Sequence, residues 1–198
     1  MESRHSAVVR ITHWITTLSF FALLVSGVAI LLAHPRLYWG ETGGVGTPSL
    51  IDLPLPFVLV GQTGWGRYLH FLAAWVCVLT GLLYVFSGFL TAHFRQNFLS
   101  ASAAYNILQR LTYLVVVFVL FPLMIWTGLA MSPAITSVLP ALVEVFGGQQ
   151  SARTIHFVIS IALVLFLVVH VAMVWRAGFR TRVGAMITGY TAASKESA

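Results

Sequence analysis

Four histidines have the spacing and the surroundings that chemistry in a membrane would require. His13, His70, His156 and His170 each fall inside a long apolar run of a 198-residue chain in which only 8% of the residues are charged. An imidazole inside hydrocarbon costs free energy unless it faces protein and has a partner, so each is a candidate functional group. A neutral imidazole can relay a proton or bind a metal through a ring nitrogen. For one such histidine alone, a hydrogen bond to a neighbouring hydroxyl is an equal explanation.

The spacing of these histidines places them at two depths. His156 and His170 are fourteen residues apart, which on an α-helix is about 21 Å along the axis and within about 40° of the same face. His70 lies near the start of a run that begins on the same side of the membrane as the run of His156. His13 lies near the start of a run that begins on the side of His170. The four therefore form two pairs, near opposite faces of the membrane.

Two imidazoles that face each other across a helical bundle suit the axial ligation of a haem iron. Zinc sites usually gather four ligands at one depth, which two histidines per level do not supply. The single cysteine, Cys77, excludes a disulfide framework, a CxxC metal site, a covalent CxxCH haem and an iron-sulfur cluster. The pattern predicts two non-covalent b-type haems with two histidine ligands each. His70 and His156 would hold the outer haem, and His13 and His170 the inner one.

Arginine and glycine residues near the histidines fit the edges of the two predicted haems. Arg10, Arg67 and Arg153 each stand three residues before a span histidine, one helical turn nearer water, where haem propionates need a charge-assisted partner. For Arg10 a flanking charge is an equal alternative, whereas Arg67 and Arg153 lie on the side that the positive-inside rule disfavours. Gly27, fourteen residues after His13, lies at the outer depth, where an absent side chain would let a macrocycle approach the helix. Helix packing by a small residue is the alternative there.

The elements that must position these residues are four apolar runs. They lie approximately at residues 11–32, 68–92, 107–131 and 154–175. A span needs about 20 residues to cross the hydrocarbon. With 59% hydrophobic residues, a soluble globular domain is excluded. The predicted fold class is an all-α integral membrane protein, a four-transmembrane-helix bundle with two haems in its core. One domain covers residues 1–198, with a polar tail at 176–198.

The distribution of charge predicts orientation. Eight of the eleven Lys and Arg residues fall on the side of the termini and three on the other side. By the positive-inside rule both termini are cytoplasmic. The net charge of +6 is then explained by topology and contact with lipid, and no nucleic-acid partner is implied.

Two long loops on the outer side predict a docking surface. They cover residues 33–64 and 132–152, whereas links between neighbouring helices usually run about two to eight residues. The segment Leu50–Gly61 is apolar and is expected at the membrane interface. Acidic and basic residues nearly balance in these loops, so apolar side chains would supply most of a partner contact. Candidates for that contact are Leu53, Leu55, Phe57 and Leu139.

These motifs together resemble the four-helix dihaem b-type cytochromes, which include the cytochrome b subunits of nickel-iron hydrogenase and thiosulfate reductase and the gamma subunit of formate dehydrogenase. The resemblance extends from about Arg10 to Arg176. It rests on Arg10-Ile-Thr-His13-Trp14, on His70, on the pair His156 and His170, and on Tyr105-Asn106-Ile-Leu-Gln109-Arg110. The resemblance implies the same haem ligands and implies that Asn106 and Gln109 help to hold a quinone beside the inner haem. A helix N-cap at Asn106 and a solvated first-turn side chain at Gln109 are the alternatives.

The resemblance implies a multi-pass protein of a bacterial inner membrane. It also implies an electron-transfer subunit of a respiratory chain more than an enzyme alone. It would carry electrons between membrane quinone and a periplasmic redox protein or catalytic subunit that it also anchors. Residues 33–64 and 133–152 resemble the versions found beside periplasmic molybdopterin oxidoreductases. The alternative is a self-sufficient quinone-linked oxidoreductase acting on a small external molecule such as superoxide, although the long outer loops favour docking. A non-haem transporter is disfavoured because the spans contain no carboxylate.

Overall fold

The computed structural model of the protein describes residues 6–44, 46–54, 63–91 and 107–190. Four stretches are helical, long and apolar enough to cross a membrane, namely Ala7–Ala33, Gly64–Leu90, Leu111–Ala130 and Gln149–Arg176. This confirms the predicted all-α membrane fold with four spans. In chain order the elements are α1 (Ala7–Ala33), β1 (Arg36–Leu37), β2 (Ile51–Asp52), α2 (Thr63–Leu90), α3 (Ile107–Val115), a π turn (Val116–Leu120), α4 (Phe121–Ala130), α5 (Pro133–Thr136), α6 (Ala141–Glu144), α7 (Gln149–Arg176) and α8 (Phe179–Thr188).

Three of the spanning helices begin earlier than hydropathy predicts. α1 begins at Ala7 instead of about residue 11, α2 at Thr63 instead of 68, and α7 at Gln149 instead of 154. Hydropathy marks the part of a helix inside hydrocarbon, whereas backbone hydrogen bonding continues through the polar residues beyond it. The four histidines consequently lie six or seven residues from a helix end, which corresponds to about 9–10 Å along the axis.

The third span is not the uninterrupted helix predicted over 107–131. It contains the π turn, in which the backbone N–H of Phe121 donates to the carbonyl of Val116, five residues earlier. Pro122 follows immediately. Proline has no N–H, and its ring clashes with the carbonyl four residues before it, so a wider turn relieves the clash. The helix then continues as α4.

Small side chains fill most of the buried positions of the spans, while many large apolar side chains face outward. Ala29, Ala73 and Ala130 are buried, as are several hydroxyl residues. Leu18 and Leu165, by contrast, are 70% and 61% exposed. Lipid tails are as apolar as leucine, so helices in a membrane gain little by burying leucine and pack through small residues instead.

The chain divides into two compact units. The first consists of Met1–Gly27, Trp65–Ala101 and Leu167–Ala198, and the second of Val28–Gly64 and Ser102–Phe166. In the first unit, the predicted polar tail contains helix α8. Gly178 (φ 95°) lies between α7 and α8 in the left-handed conformation that glycine adopts easily.

Two side chains of α1 hold the end of α8. The Arg10 guanidinium donates to the carbonyl of Ile187 at 2.6 Å, and the Trp14 indole donates to the carbonyl of Met186 at 3.1 Å. The last carbonyls of a helix have no partner within it, so these two donors satisfy groups that would otherwise need water. Hydropathy could not predict this helix because its contacts come from residues about 175 positions away.

In the second unit, the loop that follows α1 is tied to the start of α7. The carbonyl of Gly40 accepts the N–H groups of Gln150 at 3.0 Å and Ser151 at 3.3 Å. In return, the Gly40 N–H donates to Ser151 Oγ at 2.7 Å, and Thr154 Oγ1 donates to the carbonyl of Tyr38 at 2.6 Å. The free N–H groups at a helix start need such acceptors. We call this set of contacts, made by Tyr38, Gly40, Gln150, Ser151 and Thr154, the loop clasp.

The same loop contains a short antiparallel hairpin. β1 pairs with β2, with Arg36 opposite Asp52 and Leu37 opposite Ile51. Leu37 is only 1% exposed, so burial of this apolar side chain helps to stabilise the hairpin. Residues 55–62, with most of the predicted interfacial segment and the candidate contacts Leu55 and Phe57, lie outside the described residues.

Candidate functional site

In the first unit, His70 lies against a hydroxyl and a glycine of α1. Ser26 Oγ is 3.0 Å from His70 Nδ1. A Cβ at Gly27 would lie 3.8 Å from His70 Cε1. Ser26 is fully buried. The structure therefore places Gly27 beside the histidine predicted for the outer haem.

In the second unit, His156 has the same surroundings, supplied by α4. Thr127 Oγ1 is 2.9 Å from His156 Nδ1. A Cβ at Gly128 would lie 3.6 Å from His156 Cε1. Thr127 is fully buried. Two different helices thus present the same hydroxyl-glycine pair to the two histidines.

The hydrogen bonds of the hydroxyls favour one tautomer of both rings. Ser26 Oγ donates to the carbonyl of Ala22 at 2.7 Å, and Thr127 Oγ1 donates to that of Leu123 at 2.9 Å. A hydroxyl has one hydrogen. With that hydrogen donated to the carbonyl, the hydroxyl accepts from the ring, and Nδ1 carries the ring hydrogen. A neutral imidazole with Nδ1–H has its lone pair on Nε2. This is the tautomer required for metal binding through Nε2, with the other nitrogen held by a hydrogen bond.

These surroundings fit a haem iron. The part of the chain that the structure describes contains no group of three or more His, Cys, Asp or Glu side chains that could hold a metal ion. A haem iron needs only two protein ligands, because the macrocycle supplies the other four. The glycines keep side-chain atoms away from the ligand rings, which leaves more room for a flat macrocycle than any other residue would.

The predicted inner ligands belong to the first unit. His13 is six residues after the start of α1, and His170 is six residues before the end of α7. The His13 ring packs edge-to-face on Trp14, with 5.3 Å between ring centroids. His70 belongs to the first unit and His156 to the second, so their pairing remains a prediction from spacing.

Two of the three arginines predicted at propionates bind backbone carbonyls. Arg10 donates to Ile187, and Arg153 Nη2 donates to the carbonyl of His34 at 2.5 Å. Arg67 is exposed. A guanidinium has five N–H donors, so a bound carbonyl leaves others for a carboxylate. The propionate role remains a prediction for all three.

The predicted quinone residues lie at the edge of the described chain. Asn106 lies outside the described residues, and Gln109 is in the first turn of α3. Their contact with quinone remains a prediction.

Sequence reasoning missed Ser26, Thr127 and Gly128. The signal was present, because Ser26-Gly27 and Thr127-Gly128 are hydroxyl-glycine pairs inside apolar spans. A serine or threonine in a span is ordinarily explained by a hydrogen bond to its own helix, which both residues also make. The additional contact with histidine depends on which helices are neighbours.

Comparison with known proteins identifies the family. Residues 4–189 match the prokaryotic cytochrome b561 family. A relative from Azospira oryzae, the putative protein-methionine-sulfoxide reductase subunit YedZ1, is 32% identical over 196 aligned positions, and the match covers 86% of this chain and 89% of the relative. No solved structure matches the chain. With its four spanning helices and its span histidines, this b-type membrane cytochrome therefore belongs to the prokaryotic cytochrome b561 family.

Proposed function

We propose that this electron-transfer cytochrome is the membrane subunit of a two-part oxidoreductase. It carries electrons between quinone near the cytoplasmic face of the inner membrane and a periplasmic partner that it anchors. The observation that carries the proposal is the position of the four histidines, each six or seven residues from an end of a spanning helix. Such positions provide ligands near both membrane faces, as electron transfer across the bilayer requires.

The residues of the chain would hold two b-type haems. His70 and His156 would bind the outer haem through Nε2, and His13 and His170 the inner one. When bound, haem supplies a reversible one-electron change at its iron. Arg10, Arg67 and Arg153 would bind propionate oxygens. Arg10 and Arg153 would use the N–H donors that their backbone contacts leave available.

The name of the Azospira oryzae relative favours a partner that reduces methionine sulfoxide. Reduction of a sulfoxide consumes two electrons and two protons and yields a thioether and water. Oxidation of a quinol to a quinone releases two electrons and two protons, so the two half-reactions balance. Electrons would then flow outward from quinol to the partner. The resemblance of the two long loops leads us to propose that this partner is a periplasmic molybdopterin enzyme.

Exposed apolar side chains of the second unit would form the contact with the partner. Trp39, Leu50, Val138 and Val145 are 59–76% exposed. Leu139, predicted for this contact, is 55% exposed. The loop clasp holds Tyr38 and Gly40 next to Trp39, which lowers the entropy lost when a partner binds. Because apolar contact dominates, partner binding should weaken little as salt concentration rises.

The quinone would bind near the inner haem with help from Asn106 and Gln109. Its carbonyl oxygens need hydrogen-bond donors, and amide side chains provide them. Asn106→Ala and Gln109→Ala should slow haem reduction by quinol in stopped-flow measurements and leave both haem spectra unchanged. Normal quinol kinetics in both variants would show that Asn106 is only a helix N-cap and Gln109 only a solvated side chain.

The experiment for the whole proposal is reconstitution in proteoliposomes. The chain is solubilised mildly, the co-purifying periplasmic partner is identified, and both are combined with a quinol and a peptide containing methionine sulfoxide. We expect quinol-dependent sulfoxide reduction that needs both proteins and is lost in His13→Ala and His156→Ala. Rapid quinol-dependent reduction of superoxide by the chain alone, with no electron transfer to a partner, would overturn the proposal in favour of the self-sufficient alternative.

A further inference from the structure

We propose that Ser26 and Thr127 are positioning residues of the outer haem, which fix the rings of His70 and His156 and thereby set the reduction potential of that haem. The inference rests on the proposed function, because it takes these two histidines as ligands. It adds two residues that bind neither haem nor substrate.

The geometry is the same at both histidines. Each hydroxyl is fully buried, lies 3.0 or 2.9 Å from Nδ1, and donates its hydrogen to a carbonyl four residues earlier on its own helix. Each hydroxyl is followed by the glycine that borders the same ring. Helix packing alone would explain one small buried hydroxyl, but it does not explain the same contact to Nδ1 from two different helices.

The hydrogen bonds have an electronic consequence. A hydroxyl that donates to a carbonyl becomes a better acceptor, because hydrogen bonds in a chain polarise one another. A stronger acceptor at Nδ1–H makes Nε2 more basic. A more basic ligand stabilises ferric iron over ferrous iron and so lowers the reduction potential. Removal of either hydroxyl should therefore raise the potential of the outer haem.

The effect should be confined to the outer haem. Ser26 is thirteen residues from His13 on α1, and His170 is fourteen residues from His156 on α7. These separations correspond to about 20 Å along each helix axis. The inner haem therefore serves as an internal reference in every variant.

The variants separate the hydroxyl from its volume. Thr127→Val keeps the shape and removes the acceptor, and Thr127→Ser keeps the acceptor and removes a methyl group. Ser26→Ala and Ser26→Thr make the corresponding pair on α1. Thr80→Val is the matched control, because Thr80 is buried and its hydroxyl donates to the carbonyl of Val76 in the same way, far along α2 from His70.

The test is potentiometric titration of the purified, haem-loaded protein, followed through the absorption bands of both haems. Ser26→Ala and Thr127→Val should each weaken the preference of the outer haem for ferric over ferrous iron about tenfold. For a one-electron couple this raises its reduction potential by about 59 mV. Ser26→Thr, Thr127→Ser and Thr80→Val should keep both wild-type potentials.

Other outcomes are equally informative. Loss of the outer haem in Thr127→Val but wild-type haem content and potential in Thr127→Ser also supports the proposal, because the hydroxyl is then what matters. Unchanged potentials in Ser26→Ala and Thr127→Val with both haems retained would overturn it. Equal haem loss in Thr127→Val and Thr127→Ser would also overturn it, because packing would then be the cause.

Failure of the proposed function gives a different result. If His70→Ala and His156→Ala keep both haems, then the ligand assignment itself is wrong. If these variants lose the outer haem while the hydroxyl variants keep wild-type potentials, the ligands stand and only the positioning role fails.

Discussion

The surroundings of His70 and His156 are alike at the ring and different at the start of the helix. Both rings contact a buried hydroxyl and a glycine from another helix. The helix of His156 begins in the loop clasp, where side chains and N–H groups bind loop carbonyls. The first two turns of α2, which carries His70, present exposed side chains, with Trp65 48% and Tyr68 80% exposed.

The comparison distinguishes two requirements of a membrane cytochrome, which are to orient a histidine ring and to hold the helix that carries it. A hydrogen bond at Nδ1 orients a histidine ring, and both histidines have a hydroxyl at that distance. Fixing of the helix needs contacts at its polar end, and the clasp provides these for α7. Among the described residues, the loop clasp holds the start of α7 in the second unit, whereas near the start of α2 the side chains of Trp65 and Tyr68 are exposed.

The largest effect should follow from removal of a ligand. His70→Ala and His156→Ala should each lower the haem content from two to one per chain, with loss of the same spectral component. A pyridine haemochrome assay and low-temperature spectra measure both. His34→Ala is the control, because it removes an exposed imidazole and keeps the carbonyl that Arg153 binds. If His70 and His156 variants lose different components, the proposed pairing is wrong.

The sequence alone predicted the elements that depend on neighbouring residues in the chain. It did not predict the contacts between residues that are far apart in the sequence. The apolar runs identify four spans because each must cover the hydrocarbon by itself. The helical period places His156 and His170 on one face for the same reason. The contacts of Ser26 with His70 and of Gly40 with Ser151 join residues 44 and 111 positions apart. The hydrophobic and helical periods of a sequence do not reveal such pairs.

The next effect tests the clasp through two adjacent glycines. A Cβ at Gly148 (φ 127°) would lie 2.5 Å from the backbone of Gly40, whereas one at Gly147 (φ 73°) would meet no atom within 4 Å. Gly148→Ala adds overlap to backbone strain and should cost about 3 kcal/mol or more, against about 1–2 kcal/mol for Gly147→Ala. Thermal melting in detergent, followed by outer-haem absorbance, compares them. Equal losses would show that the close approach of Gly40 is unimportant.

A smaller effect should follow from removal of one bond of the clasp. Thr154→Val leaves the buried carbonyl of Tyr38 without its 2.6 Å donor, at a cost of about 1–3 kcal/mol. Thr80→Val is the comparison on α2, because the carbonyl of Val76 keeps its bond within the helix when the hydroxyl is gone. That variant should change the melting temperature by much less. A comparable decrease in both would mean that the clasp does not distinguish α7 from α2.

The smallest effect should come from the ion pair on the exposed face of the hairpin of β1 and β2. Arg36 Nε is 3.2 Å from Asp52 Oδ2, but the two side chains are 55% and 54% exposed. Exposed pairs contribute about 0–1 kcal/mol because water screens them and ordering two side chains costs entropy. The hairpin keeps its backbone pairing and the buried Leu37, so Asp52→Asn should leave the melting temperature within about 2 °C of wild type. A large decrease, abolished by added salt, would show that charge holds this loop and would make salt-insensitive partner binding untenable.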